Sequence, residues 1–311
     1  MSKLSTGLNL IKTPQKIVRP LCNNGLLNWM SDEAVTKWVF CSVFGYKLNL
    51  KNPQTFNEKL QWLKLYNHKP EYTTIVDKYK VREYIRQELG DEYLIPLLGV
   101  WDSVEEIDLD ALPNRFVLKC NHDQGSVVIC RDKAHFDWDS AKKKLARKMR
   151  KDHYAPTREW VYKDIPRKIL CEQYMEDAEN VDSLTDYKFF CFDGYADCVM
   201  VCLDRFSDDK KFYFFDQKWE LKRLNIRGKN APEGFTIPKP TCMDEMFRIA
   251  EKLSKGLPFA RVDLYECNGK VYFGEITFFP DGGFDANLLP ETDRYFGSLI
   301  DLSPVKQTTA K

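Results

Sequence analysis

Two carboxylates lie twelve positions apart in the last third of the chain, Asp263 in Arg261-Val262-Asp263 and Glu275 in Glu275-Ile276-Thr277. Mg²⁺ takes hard oxygen ligands and commonly joins one or two carboxylates to nucleotide phosphates. Residues 259–266 and 270–278 read as strands, with the strong hairpin signal Asn268-Gly269 between them. Side chains alternate across a strand, so register decides whether both carboxylates reach one face. A two-residue turn at Asn268-Gly269 sets Asp263 opposite Gly274 and sends Glu275 to the far face. A three-residue loop, Cys267-Asn268-Gly269 with Gly269 left-handed in a bulge, pairs Asp263 with Phe273 and Arg261 with Glu275. Only that register gathers Arg261, Asp263, Glu275 and Thr277 on one surface, so the bulged turn is expected. Without a ligand, the same residues make a surface hairpin with one Arg-Glu cross-strand pair.

Upstream, the apolar strand Arg115 to Lys119 ends in a lysine and leads into Cys120-Asn121-His122-Asp123-Gln124-Gly125-Ser126. A strand-end lysine and a loop with Gln124, Gly125 and Ser126 suit a polyphosphate, where backbone N–H groups and a point charge meet the oxygens. One glycine in a hairpin loop is equally a plain turn. Next comes Glu172-Gln173-Tyr174, with Glu179 seven residues beyond Glu172. A carboxylate accepts from an adenine amino group, an extended backbone pairs with the ring edge, and a second carboxylate accepts from ribose hydroxyls. Lys188, in Tyr187-Lys188-Phe189-Phe190, supplies another lysine from within a strand.

In this order the residues resemble the ATP-grasp superfamily. The run includes Gly90 and Pro96 before the first strand, Lys119 before its loop, the Glu172-Gln173-Tyr174 hinge, Glu179, Lys188, Arg261, Asp263 and Glu275. The resemblance covers roughly Asp77 to Gly283. More narrowly, Thr55-Phe56-Asn57-Glu58-Lys59, Asp77-Lys78-Tyr79, Asp186-Tyr187-Lys188-Phe189, Asp204-Arg205 and Phe273-Gly274-Glu275-Ile276-Thr277 look like its teichuronopeptide and capsular polysaccharide branch, the TupA-like ATP-grasp proteins. Thr277 stands where the superfamily usually has Asn, so one metal ligand is a hydroxyl or is missing. Members of the branch are often labelled glycosyltransferases, a label at odds with the motifs.

The resemblance implies an α+β protein with an ATP-grasp fold, two α+β subdomains sandwiching ATP behind a helical N-terminal region. The activity it implies is an ATP-dependent carboxylate–amine ligase that makes an amide through an acyl phosphate. Lys119 and Lys188 would hold phosphates, and Gln124, Gly125, Ser126, Glu172, Gln173, Tyr174 and Glu179 would complete the ATP site. Asp263, Glu275 and Thr277 would hold Mg²⁺, Arg261 would stabilise the acyl phosphate, and Arg205 would bind the substrate carboxylate. The implied partners are a uronic-acid-containing glycan or precursor and an amino acid or small amine. The loop Pro280-Asp281-Gly282-Gly283-Phe284 either reaches the substrate or simply turns the chain toward the last helix.

A glycosyltransferase is the rival, with Asp108-Leu109-Asp110 and Asp137-Trp138-Asp139 as its metal-diphosphate candidates. Turns and a helix cap at Asp139 explain both triplets, since neither ends a strong strand. A non-catalytic nucleotide or glycan-binding module is the third reading.

Several elements must position these residues. Residues 1–90 read as helical, with a helix over Ser31 to Phe44 ended by Gly45, a capping box at Thr55 to Glu58, and a helix over Asp77 to Leu89 ended by Gly90. Residues 91–175 and 176–303 form the small and large subdomains, and 304–311 a frayed tail. Strands are expected at 93–97, 115–120, 127–130, 168–175, 187–192, 195–203 and 211–215 besides the metal hairpin, with a second hairpin turn at Asp193-Gly194. A helix over 139–151 carries seven Lys or Arg from Lys142 onward and an apolar stripe of Trp138, Ala141, Leu145 and Met149. Its basic face is either solvated or turned toward an anionic lipid-linked glycan carrier.

Composition fits this picture. The chain has 311 residues, 43% hydrophobic and 30% charged, and 47 basic against 46 acidic residues give a net charge of +1. That balance argues against a nucleic-acid binder. No transmembrane run or signal-peptide core is present, so a cytoplasmic protein is expected. Ten cysteines with no Cys-x-x-Cys pair read as reduced and mostly buried. The four histidines lack metal-ligand spacing, and no Gly-x-Ser-x-Gly elbow occurs.

Overall fold

The structure, a computed structural model, describes residues 15–176, 185–203 and 210–308. The helical N-terminal region contains α1 (Gln15–Asn23), α2 (Asp32–Phe44), α3 (Phe56–Tyr66), α4 (Pro70–Val76) and α5 (Val81–Glu88). Ser31 caps α2 by accepting from the Ala34 amide, and Gly45 ends it at φ 77°, where a side chain would be strained. Thr55 and Glu58 form the expected capping box on α3.

The helix expected over Asp77–Leu89 is shorter. Asp77 accepts from the Tyr79 and Lys80 amides, and this turn delays the helix to Val81. Ahead of it, α4 starts at Pro70, which suits a helix start because proline lacks the N–H that would be unsatisfied there.

A four-stranded antiparallel sheet follows, in the order β1-β4-β2-β3, from β1 (Leu97–Trp101), β2 (Phe116–Cys120), β3 (Val128–Cys130) and β4 (Ile169–Gln173). The strand expected at 93–97 begins at Leu97 instead. Residues 91–93 form a 3₁₀ turn, and Pro96 has no amide to give a ladder. The basic helix α6 (Trp138–Arg150) docks on this sheet through Ala141 and Leu145, which join Phe116, Leu118, Cys120 and Cys171 in one core. Its cap is Asp137, accepting from the Ser140 amide at 3.0 Å, rather than Asp139.

The second sheet runs β10-β9-β5-β6-β7-β8, from β5 (Asp186–Phe192), β6 (Tyr195–Leu203), β7 (Lys211–Phe215), β8 (Leu221–Lys222), β9 (Ala260–Cys267) and β10 (Lys270–Thr277). The short α7 (Ile226–Lys229) lies beside β7, and α8 (Met243–Ser254) packs across β5, β6 and β9. The last helix, α9 (Pro290–Leu299), packs on α3. There Phe56 meets Phe190, Phe192, Phe259 and Phe296, so the N-terminal helices share the core of the larger sheet.

The described residues hold all ten cysteines; none is in a disulfide and most are buried. Burial pushes Cys120 up to about 11 and Cys171 and Cys191 up to about 12, so these thiols stay protonated. The tail expected to fray is held as far as Thr308, whose amide donates to Tyr66 O at 2.7 Å and whose hydroxyl donates to His68 O at 3.0 Å.

Candidate active site

The turn between β9 and β10 differs from the expectation. Asn268 and Gly269 both have positive φ, 51° and 72°, and Cys267 pairs with Lys270, a tight two-residue turn. Taken alone, that register sends Glu275 to the wrong face. Six residues along, the register shifts. Phe273 pairs with Leu264, but Glu275 pairs with Asp263, leaving Gly274 as one extra residue in β10. The bulge sits at Gly274 rather than in the turn. It places Glu275 opposite Asp263 and Thr277 opposite Arg261. A side chain is excluded there, because a Cβ on Gly274 would lie 2.9 Å from both the Asp263 carbonyl and the Tyr265 ring.

On this face Arg261 grips Asp263 with two bonds, Nε to Oδ1 at 2.7 Å and Nη2 to Oδ2 at 2.8 Å. The same Nη2 reaches Glu275 Oε1 at 3.4 Å and donates to Thr277 Oγ1 at 3.3 Å. Lys188, opposite Asp263 on β5, donates to Asp263 Oδ2 and lies 3.5 Å from Asp186. Burial pushes the Glu275 carboxyl up, but Lys78, Arg261 and Lys188 together outweigh it and hold the group well below the usual carboxylate range. For Arg261, burial opposes the charge, yet Asp263 and Glu275 prevail and raise its pKa.

Lys78 was not among the residues singled out for the site, although Asp77-Lys78-Tyr79 carried part of the resemblance. Its Nζ lies 3.2 Å from Glu275 Oε2 and donates to the Asp123 carbonyl at 2.9 Å. It thereby joins β10 of one sheet to the loop after β2 of the other. The turn that presents it is fixed from that loop, since Asn121 Nδ2 donates to Asp77 Oδ1 and the Lys78 amide donates to Asn121 O.

On the smaller sheet, Lys119 pairs with Glu172 at 2.6 Å, and Arg82 from α5 lies 3.4 Å from the same carboxylate. Glu172, expected to receive an adenine amino group, is thus already met by two cations. Gln124 and Gly125 are exposed at the loop tip, Gly125 at φ 77°, while Ser126 turns inward and accepts from the Cys120 amide at 2.8 Å. Gln173, Tyr174 and Met175 line an open cavity of about 700 Å³ that reaches the Cys267-Asn268 turn of the other sheet. Glu179 and Arg205 lie outside the described residues, and so does Asp204.

The donor set fits Mg²⁺ held jointly with a nucleotide. Two carboxylates and a hydroxyl share one face, and among the described residues no group of three or more His, Cys, Asp or Glu could hold a metal by itself. Lys78, Lys188 and Arg261 cover the carboxylates and are the cations a triphosphate would attract.

The loop Pro280-Asp281-Gly282-Gly283-Phe284 follows β10 through three left-handed residues, Asp281, Gly282 and Gly283. It is gripped from α3, where the buried Lys64 donates to Gly282 O and Thr157 O, both at 2.7 Å, and Gln61 donates to Gly283 O. Burial lowers the Lys64 pKa against the pull of Glu159, and burial likewise raises that of Glu159 against the pull of Lys64. The N-terminal helices therefore shape the chain next to β10.

Two antiparallel sheets, lysines from each, and a carboxylate pair where they meet place this chain in the ATP-grasp class. It belongs to the TupA-like ATP-grasp family, which it matches over residues 58–301. No protein of curated function matches it. Among solved structures it is similar to D-alanine–D-alanine ligase from Bacillus anthracis complexed with ATP, at 18% identity and a TM-score of 0.44, covering 74% of this chain and 64% of that one. D-cycloserine synthetase DcsG shows 13% identity and a TM-score of 0.40, covering 73% and 69%. ATP-grasp ligase PsnB, complexed with minimal precursor, Mg and ADP, shows 11% identity and a TM-score of 0.39, covering 71% and 57%. The chain thus spans just under two thirds of the length of the first of these.

Proposed function

We propose that this protein is an ATP-dependent carboxylate–amine ligase that forms an amide through an acyl phosphate. The observation that carries the reading is the Gly274 bulge, which collects Asp263, Glu275, Thr277 and Arg261 on one face, with Lys188 and Lys78 against them. Bound Mg²⁺, held by Asp263 and Glu275 with the Thr277 hydroxyl, would neutralise the β- and γ-phosphates. Lys119 and Lys188 would exchange their carboxylate partners for phosphate oxygens. An oxygen of the substrate carboxylate attacks the γ-phosphorus and ADP leaves. The amine then attacks the acyl carbon, loses a proton and expels phosphate. Arg261 lies where charge develops on the acyl phosphate and on the oxyanion that follows. The adenine end of the nucleotide would lie at the hinge, in the cavity lined by Gln173, Tyr174 and Met175.

The acceptor we propose, from the family branch alone, is a uronic-acid carboxylate in a capsular or cell-surface glycan or its precursor, with an amino acid or small amine as donor, acting in the cytoplasm. A glycosyltransferase finds less support. Asp108 bonds the Asp110 amide within its own turn, and Asp137 caps α6, so both Asp-x-Asp triplets are occupied locally. The test is ADP release screened over amines with a uronic-acid glycoside, with mass measurement of the product. A mass gain of amine minus water supports the ligase, and transfer of a sugar with no ADP contradicts it.

A further inference from the structure

The basic run of α6 finds no role in the chemistry above, yet part of it faces inward. Lys144 and Lys148, one turn apart on the same side of the helix, both reach the loop between β2 and β3. Lys144 Nζ donates to Val127 O at 2.7 Å. Lys148 Nζ donates to Gln124 O at 2.8 Å and lies 3.3 Å from Asp123 Oδ2. A Cβ on Gly125 would sit 3.4 Å from that ammonium, so the lysine lies directly against the loop tip. Lys143, Arg147 and Arg150, by contrast, are exposed.

We propose that Lys148 is a positioning residue that latches the phosphate loop, holding residues 123–125 in the arrangement that receives the triphosphate. The proposal rests on reading that loop as the phosphate cover. Lys148 acts beside other restraints on the loop, one of them closing its ends. Cys120 N bonds Ser126 Oγ, and Lys78 holds the Asp123 carbonyl. Asp123 is only 2% exposed, neither of its carboxylate oxygens has a well-formed hydrogen bond among the described residues, and the Lys148 ammonium is paired with it. Removing the ammonium leaves a buried carboxylate without that charge and the Gln124 carbonyl without its donor, so the loop opens to hydrate them. Part of the basic face is thus turned to the nucleotide site, leaving the exposed side to solvent.

The test compares K148M with K143M, which removes a charge from the exposed side of the same helix. Without nucleotide, the Cys120 amide reports loop closure, because its acceptor is the Ser126 hydroxyl. In K148M its hydrogen exchange should accelerate at least tenfold, with Leu118 in the sheet unchanged and K143M like wild type. MgATP affinity should fall about tenfold in K148M, with adenosine affinity unchanged. Unchanged exchange at Cys120 overturns the latch whatever MgATP does. Faster exchange with unaltered MgATP affinity, or equal loss for MgATP and adenosine, overturns its role in receiving the triphosphate. Failure of the wild type to bind MgATP would sink the nucleotide reading, and the Cys120 exchange would still decide the latch.

Discussion

Glu275 lies directly across the strand pair from Asp263, and one inserted glycine puts it there. The hairpin turn fixes a register that would turn the two carboxylates to opposite faces, and Gly274 corrects it before the strand reaches the site. The proposed metal site therefore depends on a residue that carries no functional group.

G274A should separate these roles. A Cβ 2.9 Å from the Asp263 carbonyl forces the strands apart or removes the bulge. Expected costs are about 1–3 kcal/mol of stability and most of the ATP turnover. D193A strains the other hairpin turn, at the end of β5 away from Lys188, where Asp193 has a φ of 46°, so it should lower the thermal midpoint while leaving turnover within about twofold of wild type. Thermal melts and ADP release on both variants check the contrast.

Charge removal at the carboxylates should act on chemistry more than on folding. E275Q keeps the shape of the side chain but not the charge that Lys78, Arg261 and Lys188 surround. ADP formation should fall at least about 100-fold, the scale of losing one electrostatic contact to the transition state. An unchanged rate would exclude Glu275 from the metal site.

K78M tests the link between the sheets. Loss of an ammonium that touches both Glu275 and the Asp123 carbonyl should weaken MgATP binding about tenfold, measured by calorimetric titration. K80M, in the same turn, should bind MgATP like wild type.

Asp285 supplies a pH signature. Burial, and then the charge of Asp281, push its carboxyl up to about 6 from an ordinary 3.8. The folded state thus holds this proton more tightly than the unfolded chain, and stability falls as pH rises between those values. The penalty is absent below the lower value and complete above the higher one. D285N, which keeps an oxygen for the Asn287 amide, should raise the melting midpoint by about 2 °C at pH 7.5. At pH 3.5 the two midpoints should coincide.

Much of this architecture was legible where the signal is local. The end of α2 at Gly45, the capping box at Thr55, the turn at Asp193-Gly194 and the edges of β6 and β7 follow from residues within a few positions of each other. The bulge was misplaced because turn chemistry seemed sufficient to set register. A glycine inside an alternating strand was the available signal. Lys78 escaped because its partners, Asp123 and Glu275, are distant in the chain, and only folding brings the Asp77 turn against the loop after β2. The direction of Lys144 and Lys148 was hidden for a related reason. A basic run reads as solvated until the neighbouring carbonyls of another element are known.

The proposed reaction turns on transfer of the ATP γ-phosphoryl group to a carboxylate oxygen. With the substrate pair found by the ADP screen, the carboxylate is labelled with heavy oxygen and the released phosphate is weighed. If an acyl phosphate forms, each phosphate carries a single labelled oxygen, with ADP, phosphate and amide formed in equal amounts. Unlabelled phosphate accompanying the product would contradict an acyl phosphate and the function proposed for this site.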